Sequence, residues 1–117
     1  MWTMTVVAVL FLLMGIGAFL DPRHFLRWFD IAAETPTARN EIQAVYGGFG
    51  LAMCGVLLLP HWLPELRSGI AVAVAAALAG MALGRVIGAL RERPNRWAVT
   101  FCLVEAVGAA ALLLAVR

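Results

Sequence analysis

The feature that most limits how this chain can fold is a set of four apolar runs, residues 3–20, 42–59, 69–90 and 97–116, within 117 residues. Each comes close to the roughly 20 helical residues needed to cross a bilayer core. In lipid, a helix is the way for a single segment to satisfy its own backbone. Composition agrees: 63% of the residues are hydrophobic, 14% are charged, and the mean hydropathy is +0.91. A water-soluble domain of this size buries only about 60–70% of its unfolded surface and cannot hide so much apolar area. The predicted fold is all-α: one integral membrane domain over residues 1–117, a four-helix bundle with one short interfacial helix.

The connections are short and carry helix punctuation. Asp21 followed by Pro22 reads as an N-cap and first helical residue, and Thr35 followed by Pro36 repeats the pattern. Residues 22–34 place Phe25, Leu26, Phe29, Ala32 and Ala33 on one stripe, with Arg23, Arg27, Asp30 and Glu34 opposite. With Trp28 at its flank, this segment is expected to be an amphipathic helix lying in the interface plane. The first run lacks a basic start and an A-x-A cleavage pattern, so it reads as a retained span.

Arginine bias orients the spans. Arg23, Arg27, Arg39, Arg91, Arg93 and Arg96 fall at one pair of connections, against Arg67 and Arg117 at the other edge. Both basic connections are expected in the cytoplasm and both termini outside, with Trp28 and Trp97 at the inner interface and Trp2 and Trp62 at the outer one.

Several function classes lose support. The nine basic residues are all arginine and are spread over connections, unlike a nucleic-acid patch. Cys54 and Cys102 fall at depths about 15 Å apart, beyond the about 4.4–6.8 Å Cα separation of a disulfide. His24 and His61 flank opposite edges, which leaves no metal-ligand spacing, and no nucleophile–base pair or phosphate loop is present. No cofactor is implied.

Two patterns remain. Small residues recur every fourth position at Ala76, Gly80, Gly84 and Gly88, and at Ala44, Gly48 and Ala52 with Gly47 and Gly50 beside them. They predict close helix packing of spans two and three, or of two copies of the chain. The second pattern is polar. Arg85 lies about 7–8 Å inside the inner boundary and Glu105 about 12 Å inside it. Span two adds Glu41 at the edge, Gln43 just within and Tyr46 about 6–9 Å deep. An arginine alone at a helix centre costs roughly 2.5–3.5 kcal/mol. Pairing of Arg85 with Glu105 is therefore expected, with Glu41, Gln43 and Tyr46 as further partners. Three alternatives stay open: Arg85 snorkels to the interface, Glu105 is protonated and hydrogen-bonded without it, or the pair fixes packing and binds nothing.

The segments "RNEIQAVYGGFGLAMCGVLLL", "AGMALGRVIGAL" and "VEAVGAAALLL" resemble those of the small four-helix membrane proteins grouped as domain-of-unknown-function family 4345. The matching marks are Glu41, Tyr46, Gly47 and Gly48 in span two, Gly84 and Arg85 in span three, and Glu105 in span four. The resemblance implies a multi-pass bundle in a bacterial inner membrane and implies no reaction. Together these readings favour a non-enzymatic membrane protein whose polar cluster pairs charges and binds a lipid, a small amphiphile or a partner helix. Membrane lipids are the expected partners, with room for a homo-oligomer or a larger membrane complex. An oligomeric proton-linked transporter or channel-like subunit is the first alternative, and a membrane-embedded enzyme the second.

Overall fold

A computed structural model describes residues 1–117. Every regular element is helical: α1 (Trp2–Leu20), α2 (Pro22–Arg27), α3 (Pro36–His61), α4 (Pro64–Ala89) and α5 (Arg96–Ala115). Four of them, α1, α3, α4 and α5, are long and apolar enough to cross a membrane. Little of their surface is covered, 33% of the apolar window in α1 and 17% in α5. Val6, Leu13, Ile16 and Leu20 stay exposed on α1, and Leu103, Val107 and Leu114 on α5. Large apolar side chains left outward over the whole length of a helix require an apolar solvent.

The helix starts follow local chemistry. Asp21 accepts from the His24 N–H at 3.1 Å and Thr35 from the Ala38 N–H at 3.1 Å, each followed by proline. Asn95 does the same for α5, accepting from Ala98 N–H at 2.9 Å. The third span begins at Pro64 and the second at Pro36, each several residues before its apolar run.

The expected interfacial helix over 22–34 is corrected to Pro22–Arg27. Asp30, at φ 57°, stops it. The Asp30 N–H donates to Arg27 O at 3.1 Å and the Ile31 N–H to Leu26 O at 3.1 Å. Those two bonds around a left-handed residue form a Schellman cap. Aspartate tolerates that backbone better than most side chains, so no glycine announces the stop.

The chain forms two compact units. In residues 2–58, α1 packs on α3 and α2 folds back onto both. Ala18, Phe25, Leu26, Ala33 and Ile42 form the core there, with Met14, Phe29 and Tyr46 against it. The Arg39 guanidinium donates to Ala33 O at 3.0 Å, which ties the start of α3 to the segment before it. Arg39 thus has an intramolecular partner.

The helix α3 contains a π-helical stretch, Gln43–Gly48, between α-helical Pro36–Ile42 and Phe49–Leu58. Its buried positions are Ile42, Gly47, Gly50, Cys54, Leu57 and Pro60. From Gly47 onward they follow helical three- and four-residue steps, but Ile42 to Gly47 is five. The wider π-turn absorbs one extra residue and keeps both halves of the helix facing α1. Of the two neighbouring glycines expected in the seam, Gly47 is buried and Gly48 is exposed.

In residues 59–117, α4 and α5 form an antiparallel pair. Arg67 meets Ala115, Leu78 lies by Gly108, Ala82 meets Cys102 and Arg85 meets Glu105. The seam on α4 is Ala71, Val74, Ala75, Leu78 and Ala82; on α5 it is Glu105, Ala109 and Leu112.

Candidate functional site

Arg85 and Glu105 extend these two seams by helical steps, three residues beyond Ala82 and four before Ala109. That placement turns the side chains toward each other. Arg85 Nε donates to Glu105 Oε1 at 2.7 Å and its Nη2 donates to Oε2 at 3.2 Å. The two parallel bonds match a planar guanidinium to a planar carboxylate. Glu105 is the one buried charged residue. The two side chains differ in cover: 27% of Arg85 stays exposed against 7% of Glu105. The carboxylate is thus sunk in the seam, and the guanidinium lies over it toward the surface.

One turn away from the pair, the Cys102 thiol donates to Ala82 O at 3.5 Å. At the far end of the same hairpin, Arg67 Nη2 donates to Ala115 O at 2.6 Å. Arg67 Nε is buried without a partner. Arg67 therefore caps one of the last carbonyls of α5, which lack intrahelical donors. Sequence reasoning treated Arg67 only as a loop charge, because a bond to a backbone carbonyl 48 residues away leaves no mark in composition.

The remaining predicted residues belong to the other unit. Glu41 is exposed on the polar first turns of α3. Gln43 and Tyr46 are half-buried on the π-helical stretch. The Tyr46 ring packs on Phe25 with centroids 5.3 Å apart, at 59°. Tyr46 thus serves the aromatic contact between α3 and α2, and Gln43 rides the same wide turn.

The glycines divide in the same way. A Cβ at Gly47 would lie 2.6 Å from the Phe19 ring. At Gly50 it would lie 2.9 Å from Phe11 O, and at Gly15 2.9 Å from Gly47 O. Gly15, Gly47 and Gly50 are therefore the close-approach positions of α1 on α3, and Gly15 was missed from the sequence. Gly48 would meet only Gln43 O at 3.8 Å, and Gly80, Gly84 and Gly88 would meet nothing within 4 Å. The α4–α5 seam uses alanines, and the Gly80, Gly84 and Gly88 stripe, expected against span two or a second copy, takes no part in it.

Residues 1–116 match the model of a protein family described as Domain of unknown function (DUF4345). No curated protein matches the chain. No solved structure matches it either.

Proposed function

Starting from a chain that belongs to the DUF4345 family, we propose a non-enzymatic multi-pass protein of a bacterial inner membrane. In this reading Arg85 receives the anionic head of a lipid or small amphiphile, and Glu105 holds it in place. Both termini lie outside the cytoplasm. One observation carries the reading: Arg85 is gripped by Glu105 through two bonds yet keeps 27% of its side chain exposed. The exposed part of the guanidinium is where an anionic head would approach, while the acid beneath it is covered.

Energetics support a role for the pair. Polar bonds between membrane helices average only about 0.6 kcal/mol, while a lone arginine at depth costs roughly 2.5–3.5 kcal/mol. Alanine or leucine at both positions would serve packing as well. The pair is favoured where the guanidinium is needed and its neutralisation must be built in.

Native mass spectrometry of the protein released directly from membranes tests this reading. The expected result is a retained anionic amphiphile that disappears in Arg85→Leu and in the double variant with Glu105→Leu. Release of the parent without any small molecule, or equal retention by the variants, rejects it. Release bound to another protein would identify a partner helix instead.

A further inference from the structure

The connection between α4 and α5 reads Leu90-Arg91-Glu92-Arg93-Pro94-Asn95-Arg96-Trp97, three arginines against one glutamate. Arg91, Glu92, Arg93 and Arg96 are all exposed. The side chains of Arg91 and Arg93 have neither a carboxylate nor a carbonyl partner within the chain. The Arg96 guanidinium lies 5.4 Å from the centre of the Trp97 ring, and Trp97 is 39% exposed.

The geometry of the turn keeps these charges together. Arg91 and Glu92 N–H groups both donate to Gly88 O at 3.1 Å, which closes the end of α4 tightly. Pro94 and the Asn95 cap start α5 within four residues. Three guanidiniums are thereby confined to the span of one short turn between the end of α4 and the start of α5. Both flanking helices are long and apolar enough to cross a membrane, so the turn emerges at headgroup level. An exposed tryptophan belongs at that level.

We infer that this turn is a docking surface for anionic phospholipid headgroups, with Arg91, Arg93 and Arg96 contacting the lipid phosphate and Trp97 setting the depth. Basic residues beside a membrane each attract anionic lipid at about fivefold in local concentration. The three arginines act on one small patch, opposed by Glu92 alone. This surface uses other residues than the Arg85 site and stands or falls separately from it.

Trp97 is the probe. In the full chain Trp2, Trp28 and Trp62 are replaced by phenylalanine, and the protein is reconstituted into phosphatidylcholine vesicles with a minor fraction of phosphatidylglycerol. Quenching of Trp97 by brominated phosphatidylglycerol is compared with quenching by brominated phosphatidylcholine at equal mole fraction. The expected result is preferential quenching by the anionic lipid. The preference falls roughly fivefold for each of Arg91→Gln, Arg93→Gln and Arg96→Gln. It survives replacement of all three by lysine. Should the glutamine variants fail to insert, the salt response of the parent decides. Raising salt from about 0.05 M to about 0.5 M should erase the preference. Equal quenching by both lipids, a preference insensitive to salt, or one untouched by the glutamine changes overturns the inference. Displacement by millimolar inorganic phosphate overturns it too, because the ligand is then free phosphate.

Discussion

Arg85 and Glu105, twenty residues apart in the chain, meet as two parallel forks 2.7 and 3.2 Å apart on the seam of α4 and α5. The carboxylate is nearly covered and the guanidinium is not. Removing one member leaves the other stranded, and a buried charge without its partner costs about 3–5 kcal/mol.

That asymmetry gives the first prediction. Arg85→Leu, which strands the covered Glu105, should destabilise the protein strongly, Glu105→Leu should cost less because Arg85 is partly exposed, and the double variant should cost much less than their sum. Reversible unfolding in bicelles measures all four corners of the cycle. A coupling below about 0.5 kcal/mol would show two residues that do not depend on each other.

Glycine substitutions should separate seam from surface. Gly15→Ala and Gly50→Ala drive a methyl to 2.9 Å from a carbonyl oxygen and should each cost about 1–3 kcal/mol. Gly84→Ala meets open space, removes a flexible residue from a helix, and should be neutral or stabilising by up to about 1 kcal/mol. The thermal midpoints of the three variants in one detergent give the comparison.

The π-helical stretch predicts an unequal tolerance for deletions. Deleting Ala44 removes the extra residue and leaves Ile42 four positions before Gly47, as an ordinary α-helix requires. Deleting Ala52 instead turns one half of α3 by about 100° and breaks the Gly50, Cys54 and Leu57 stripe. Folded yield after membrane extraction should stay near that of the parent for the first and collapse for the second. Equal yields would show that the wide turn has no part in the register.

Asp30 offers a backbone test. At φ 57° a glycine is at ease and a β-branched residue is not. Both variants lose the aspartate side chain alike, so in thermal unfolding Asp30→Val should cost about 1–2 kcal/mol more than Asp30→Gly. A valine variant as stable as the glycine one would mean that the turn after α2 does not hold this conformation in the membrane.

Much of this was open to reading in the sequence. The number of spans follows from continuous apolar runs, and the caps at Asp21 and Thr35 from residues three positions apart. Arg85 and Glu105 at similar depth on neighbouring spans suggested each other because isolated charges in lipid are expensive. Three features stayed hidden. An aspartate takes the left-handed stop where a glycine would have signalled it. The π-turn moves the buried position after Ile42 one residue on, from Tyr46 to Gly47. Arg67 answers to a backbone carbonyl, which any residue supplies.

What the sequence determined alone is thus the set of helices and the charges they must neutralise: hydrophobic length and local capping are properties of a segment. Which face of each helix meets another helix was decided only in the tertiary structure. In water the buried face is the apolar one and periodicity reveals it. In lipid both faces are apolar, and Val7 is covered while Val6 beside it is exposed. Only shape then chooses: which glycine admits a backbone, which ring fills the gap, and which arginine reaches its acid.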